Sequence, residues 1–264
     1  MLKEEFKRLI SSKFFYFAII LGVLMGILGL SSYYEDTAYF RDTNNGNAIS
    51  SYEAWFYCLA LGGTAIYKIF VPLLASLPFC DSYIKDRKCG YINYVLIRTN
   101  FKTYFKNKLL INALAGGLAA SIPLILLFLI SNILFPANIP NTRFNYYPSG
   151  AFSQIYKQIP AIYIFIIILM NFLFGALYST IGLGFSVLLK NRLAVTAIPF
   201  FLYLFLIVVT QMGQIKFLFP LTLVAPFDVI DTTPFMIFSG FVFTFSFVFV
   251  LVSTLYKKDS GDVL

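Results

Sequence analysis

The chain has 264 residues, of which 59% are hydrophobic and 12% are charged, and its mean hydropathy is +0.80. Soluble domains carry about a quarter of their residues as charges, so this composition excludes a soluble protein and predicts an all-α, polytopic membrane protein. The length allows about six spans of roughly 20 residues each, in one membrane domain over residues 1–264, without a separate soluble catalytic domain.

The net charge of +8 follows the predicted topology and does not indicate nucleic-acid binding. Fifteen of the twenty Lys and Arg residues fall in four segments that we place inside the cell, as the positive-inside rule requires. The chain has no His, and its three Cys residues lack metal-ligand spacing. We therefore predict no metal site, no cofactor and no catalytic residue in this chain.

The N-terminus predicts a short helix that lies in the membrane interface. Its apolar residues fall on one helical face and its charged residues, Lys3, Glu4, Lys7 and Arg8, among the headgroups. Residues 14–34 then form the first predicted span, because this stretch is uncharged and about 31 Å long as a helix. The following residues, 35–53, contain one basic residue, Arg41, and are placed outside.

The second predicted span covers residues 55–79 and begins with aromatic residues suited to the membrane interface. Lys68 lies about half-way along it, where burial of an ammonium in lipid is costly. Two interpretations remain open for Lys68. It lines a substrate path or a dimer seam, or the helix begins later and the side chain extends to the outer headgroups.

The loop from Asp81 to Lys108 holds seven of the twenty basic residues and therefore faces the cytoplasm. A polar break at Asp86–Lys88 and Gly90 separates two short helical pieces. In the second piece, residues 91–97, the apolar side chains fall mostly at three- and four-residue spacings. This piece either contacts the membrane surface or a soluble partner, or it belongs to a basic loop that only sets orientation.

The remaining predicted spans cover residues 109–135, 159–189, 193–209 and 235–256. Residues 136–158 form an outer loop, and residues 190–192 form a short inner turn. The apolar, Pro-interrupted stretch 210–234 predicts short helices that dip into the outer leaflet. Both termini are then cytoplasmic, in a multi-pass protein of the plasma membrane.

The 81–108 loop resembles the first cytoplasmic loop of type-2 ATP-binding-cassette exporter permeases. The matching positions are Asp86, Arg87, Gly90, Tyr94, Leu96, Arg98, Tyr104 and Lys108. Two positions differ, because the family more often has Glu where Asp86 stands and usually has Pro where Thr99 stands. The resemblance implies a coupling helix that docks into an ATPase, with Asp86, Arg87, Gly90, Tyr94, Leu96 and Arg98 as its site residues. It also implies an N-terminal connecting helix and re-entrant outer helices before the last span.

No GxxxxGK[ST] motif occurs, so ATP and Mg would be bound by separate ATPase subunits. Six spans are half of such a transporter, which implies a second permease copy or a paralogue. The expected function is export of a hydrophobic or amphipathic substrate, such as a peptide, a toxin or a lipid-like compound. The alternatives are a secondary carrier or channel, and a non-transporting membrane partner or immunity protein. An intramembrane enzyme is disfavoured because the predicted spans contain no Asp, Glu, His or Arg.

Overall fold

The computed structural model describes residues 2–38, 49–59, 66–137, 150–229 and 231–263. Within these ranges the regular structure is helical throughout, without strands. The α-helices are α1 (Leu2–Ile10), α2 (Lys13–Asp36), α3 (Ser51–Leu59), α4 (Ile66–Ser76), α5 (Ser82–Lys88), α6 (Tyr91–Leu96), α7 (Phe101–Leu134), α8 (Ser153–Gln158), α9 (Pro160–Phe185), α10 (Arg192–Met212), α11 (Leu221–Val224) and α12 (Pro234–Val263). Two 3-10 turns, Lys216–Leu218 and Pro226–Asp228, flank α11.

Five helices, α2, α7, α9, α10 and α12, are long and apolar enough to cross a membrane. They correspond to predicted spans one, three, four, five and six, and they make the chain an all-helical, multi-pass membrane protein. The largest boundary differences are at α7, α9 and α12, and α12 continues to Val263, seven residues beyond the predicted limit of 256. Helix α7 begins at Phe101, eight residues before the predicted span, because its backbone hydrogen bonding continues through the basic residues. Helix α9 ends at Phe185, before the predicted limit of 189.

The predicted second span is not one continuous helix among the described residues. Helices α3 and α4 have 9 and 11 residues, and residues 60–65 between them lie outside the described ranges. A sixth span therefore stays a prediction. Ser50 lies at one end of α2, where its carbonyl oxygen accepts a hydrogen bond from Tyr33 at 3.2 Å. The carbonyl oxygen of Pro78 lies at the other end, 3.4 Å from the Ser12 hydroxyl.

Helices α7 and α9 form the central pair of the bundle. Their backbones approach so closely that a Cβ atom on Gly116 would lie 2.6 Å from the carbonyl oxygen of Gly175. Small residues allow this kind of contact between helices in lipid, where there is no hydrophobic driving force to bring helices together. The Ser179 hydroxyl, on the same face of α9, donates to the carbonyl oxygen of Asn112 at 3.1 Å.

The four segments predicted to be cytoplasmic meet at one end of the bundle. Arg8 pairs with Asp86, and the ring of Tyr256 stacks on Phe101 with 5.6 Å between centroids. The start of α10 joins them through Val195, which lies in a buried cluster with Ile84 of the 81–108 loop. The predicted outer segments meet at the opposite end. There the amide of Ser51 donates to the carbonyl oxygen of Pro136 at 3.0 Å, and the Phe56 ring contacts Tyr156 and Phe227.

The stretch before the last span folds into the short helices that its Pro residues predict. Leu223 and Phe227 are buried in the bundle, and the Asn171 amide on α9 donates to the carbonyl oxygen of Val224 at 2.9 Å. The segment packs against α9 and α12 and is not a peripheral surface loop. Its insertion into the outer leaflet stays a prediction.

Candidate functional site

The predicted cytoplasmic loop forms a hairpin of two short helices, α5 and α6, that we call the α5–α6 hairpin. Gly90 joins the two helices with φ of 67°, in the left-handed region. A Cβ atom here would meet no other atom within 4 Å, so the position favours glycine for its backbone conformation and not for lack of space. The break that the sequence predicts around Gly90 is therefore present.

Asp86 anchors this hairpin to the membrane domain. Its Oδ2 lies 2.6 Å from the Lys108 Nζ and accepts a hydrogen bond from the Tyr104 hydroxyl at 2.7 Å. Its Oδ1 lies 2.5 Å from the Arg8 Nη2. The Asp86 side chain thus receives donors from α1 and from α7 at the same time.

Glu5 completes the arrangement from the N-terminal helix. Its two carboxylate oxygens each lie 2.9 Å from a cation, Oε1 from Arg8 and Oε2 from Lys108. Glu5, Arg8, Asp86 and Lys108 form what we call the four-charge cluster, whose charges sum to zero. Lys108 is 0% exposed, and both carboxylate residues are 1% exposed. Charges buried this deeply are tolerated only when they are paired and hydrogen-bonded, as they are here.

Asp86 and Arg8 hold their charges across the neutral pH range. Burial alone would raise the pKa of Asp86, but the hydrogen bond from Arg8 and the charge of Lys108 outweigh it and lower that pKa. The same interactions with Asp86 and Glu5 raise the pKa of Arg8 although burial opposes them. Aromatic rings lie beside both cations. The Arg8 guanidinium is 5.0 Å from the centroid of the Tyr91 ring, and the Lys108 ammonium is 5.0 Å from the centroid of the Phe79 ring.

The four-charge cluster was only partly foreseeable from the sequence. The resemblance gave two of its residues, Asp86 and Lys108, and also Tyr104, which donates to Asp86, without saying that they touch. Arg8 was expected among lipid headgroups, and that expectation needs correction, because the guanidinium binds Asp86 and Glu5. Glu5 was missed for two reasons. One of its partners, Lys108, lies 103 positions further along the chain. The other, Arg8, lies on the same nine-residue helix, where the face pattern does not identify the pair.

The six predicted coupling residues do not all share one surface. Asp86 points inward and cannot itself touch a partner, and Leu96 packs against the buried group around Tyr83 and Ile92. Arg87 and Arg98 are exposed, and so is Tyr94, at 72%. Ile97, which was not among the six, is 81% exposed beside them. We call the surface of Arg87, Tyr94, Ile97 and Arg98 the hairpin face.

Lys68 lies apart from the hairpin, in the first turn of α4. The residue is partly exposed, and its carbonyl oxygen accepts a hydrogen bond from the Tyr203 hydroxyl on α10 at 2.9 Å. This hydrogen bond joins the backbone of α4 at Lys68 to α10. Its role on a substrate path or a dimer seam stays a prediction.

Comparison of the chain with protein-family models, with curated proteins and with solved structures finds no significant match.

Proposed function

We propose that this chain is the membrane-spanning permease subunit of an ATP-driven exporter, and that a separate ATPase subunit binds its hairpin face. One observation carries the proposal: a short helical hairpin presents apolar side chains to solvent while buried charges tie it to a long membrane helix. Tyr94 and Ile97 are 72% and 81% exposed, whereas the neighbouring Asp86 is locked in the four-charge cluster.

The hairpin has the properties that transmission of motion requires. An aromatic and an aliphatic residue flanked by arginines suit the centre and rim of a protein interface. The four-charge cluster resists separation of α5 from α7, because removal of a buried charge from its partner is strongly unfavourable. Helix α7 is one long helix from Phe101 to Leu134, with Pro123 inside it, and is about 50 Å long. A displacement at the hairpin face is thus passed on to the opposite end of the bundle.

We infer a six-span topology with both termini in the cytoplasm of a plasma-membrane protein. The contacts of Ser50 and Pro78 with opposite ends of α2 support the predicted crossing over residues 55–79, which begins after Glu53. The gathering of the basic segments at one end supports the orientation. Two permease chains, identical or paralogous, and two ATPase subunits carrying ATP and Mg would complete the transporter. The cargo would be hydrophobic or amphipathic, a peptide, a toxin or a lipid-like compound.

Co-purification from native membranes tests the proposal. Cross-linked wild-type protein is expected to recover an ATP-binding-cassette ATPase, and the double variant Tyr94→Ser/Ile97→Ser is expected to recover at least about tenfold less. Leu193→Ser is the matched control, because Leu193 is 78% exposed on the same end of the molecule but outside the hairpin face. Deletion of residues 91–98 should abolish ATPase recovery without preventing membrane insertion.

Two results would refute the assignment. The first is a wild-type sample in which cross-linking recovers no ATPase of this class under conditions that preserve membrane complexes. The second is equal recovery by the double variant and by wild type, with both proteins monodisperse in detergent.

A further inference from the structure

A groove of about 720 Å³ lies between α7, α9 and α12, and no residue of the four-charge cluster lines it. Its walls are mostly aliphatic and aromatic, with Leu109 and Ala113 from α7, Leu177 from α9, and Val248 and Val252 from α12 among them. Three lysines, Lys102, Lys106 and Lys257, lie at one end. Among the described residues that line the groove, none is acidic.

We propose that this groove binds one anionic phospholipid of the surrounding bilayer, with an acyl chain along the apolar walls and the phosphate beside the three lysines. The proposal does not depend on the exporter function. An apolar channel that ends in positive charge matches the two parts of such a lipid, and a zwitterionic lipid matches only the first part.

The dimensions of the groove fit one leaflet. Along α12 it extends from Phe245 to Lys257, about 18 Å at 1.5 Å per residue. Half of the hydrocarbon core measures about 15 Å. With the apolar walls in the core, Lys102, Lys106 and Lys257 therefore stand at the depth of the lipid phosphates.

An aromatic layer marks the same boundary. The Tyr256 ring stacks on Phe101 and lies tilted against Phe105, with centroid distances of 5.6 and 5.7 Å. Tyrosine favours the membrane–water interface because its ring is apolar and its hydroxyl is polar. These rings join the end of α12 to the start of α7, so two helices distant in sequence hold the three lysines together. The negative surface potential of a cytoplasmic leaflet would add to the attraction.

Native mass spectrometry of the full chain, after titration with phosphatidylglycerol or phosphatidylcholine of the same acyl chains, tests the proposal. The wild-type protein is expected to retain one phosphatidylglycerol preferentially. The triple variant Lys102→Gln/Lys106→Gln/Lys257→Gln should lose at least about tenfold in apparent affinity for it. The control Lys88→Gln/Lys190→Gln/Arg192→Gln removes the same charge from exposed positions outside the groove and should change affinity by less than about twofold.

A second variant tests the apolar part. Ala113→Phe places a ring inside the groove and should weaken retention of long-chain phosphatidylglycerol while leaving the lysines intact. Equal retention of the two lipids by wild type, or an equal loss in both triple variants, would overturn the proposal. A lipid-free dimer that dissociates on Ala113→Phe would also overturn it, because the groove would then be occupied by a second copy of the chain.

Discussion

At the scale of single residues, Glu4 and Glu5 are adjacent glutamates in opposite environments. Glu4 is exposed, and Glu5 is 1% exposed between Arg8 and Lys108. We predict that Glu5→Gln lowers the free energy of unfolding by about 3 kcal/mol, because the buried ammonium of Lys108 loses one of its two carboxylate partners. Glu4→Gln should change it by less than about 0.5 kcal/mol. Denaturant titration of the detergent-solubilised variants measures both effects, and equal shifts would contradict the pairing.

The charge balance of the cluster leads to a second prediction about the same site. Lys108→Met alone leaves two buried carboxylates with one cation, Arg8, and should be strongly destabilising. In the double variant Glu5→Gln/Lys108→Met, one cation and one anion remain, Arg8 and Asp86. The double variant should therefore be more stable than the sum of the two single effects predicts. A strictly additive result would mean that Glu5 and Lys108 do not interact.

Glu53 gives a third residue-scale prediction, which concerns pH. The side chain is buried in α3 outside the five candidate spans. Its burial raises its pKa from the ordinary 4.5 to about 7, and the hydrogen bond from Tyr33 only partly opposes the shift. The folded state thus binds a proton that the unfolded state releases. This contribution to stability is complete below about pH 4.5 and is lost as the pH rises through about 7.

Thermal unfolding at pH 5 and pH 8 measures this effect. The wild-type protein should lose on the order of 1 to 3 kcal/mol of stability between these values through Glu53, and Glu53→Gln should remove most of that loss. Asp86 does not interfere, because its lowered pKa confines its own titration to more acidic solutions. An unchanged pH dependence in Glu53→Gln would show that Glu53 is charged throughout this range.

At the scale of helices, three prolines interrupt backbone hydrogen bonding inside the bundle, Pro72 in α4, Pro123 in α7 and Pro199 in α10. A proline supplies no N–H to the carbonyl oxygen four residues earlier, and its ring crowds the same turn of the helix. Each of these turns receives a hydroxyl from a neighbouring helix. Tyr203 donates to Lys68, Tyr67 to Ala120 and Ser76 to Thr196, with distances of 2.9, 2.5 and 2.7 Å.

These hydroxyls explain how α4, only 11 residues long, is held. It donates to α7 through Tyr67 and to α10 through Ser76, and it accepts from α10 at Lys68. In an apolar environment a carbonyl left without a donor costs several kcal/mol, so the three bonds specify how these helices pack. The short helix is thus fixed by polar contacts where its length gives it little apolar contact area.

A double-mutant cycle tests this account at Pro72. Tyr203→Phe should destabilise the protein by about 1 to 3 kcal/mol, because the carbonyl oxygen of Lys68 loses its donor. In the Pro72→Ala background the alanine N–H restores the helical hydrogen bond to the same carbonyl. There Tyr203→Phe should cost clearly less. An identical cost in the two backgrounds, measured by denaturant titration, would show that the Tyr203 hydroxyl is not compensating for the proline.

The sequence is informative about helices wherever a long apolar run has charged ends, and less informative elsewhere. The runs at 14–34 and 193–209 predict α2 and α10 to within a few residues, because length and hydropathy alone determine them. The run at 55–79 has the same composition, but its described residues belong to two shorter helices, α3 and α4. The Glu5–Lys108 pair was also beyond prediction, because such partners are set by tertiary packing and not by local spacing.

At the scale of the whole molecule, segments far apart in sequence meet at one end of the bundle. The N-terminal helix, the α5–α6 hairpin, the start of α10 and the end of α12 all lie there. These are the segments that carry most of the Lys and Arg. Positive charge prevents a segment from being translocated across the membrane. The end of the molecule that carries these basic segments is therefore expected on the cytoplasmic side. The hairpin face and the lysines of the groove would then both face the cytoplasm.

A native thiol allows this orientation to be tested. Cys89 is exposed in the turn between α5 and α6, whereas Cys58 and Cys80 are buried. A membrane-impermeant maleimide should therefore leave intact cells unlabelled and label inside-out vesicles at Cys89. Cys89→Ser should abolish that labelling. In this background Met212→Cys, at a position 82% exposed at the opposite end of α10, should be labelled in intact cells. The reverse pattern would place the hairpin outside the cell, where no ATP-driven motor could reach it.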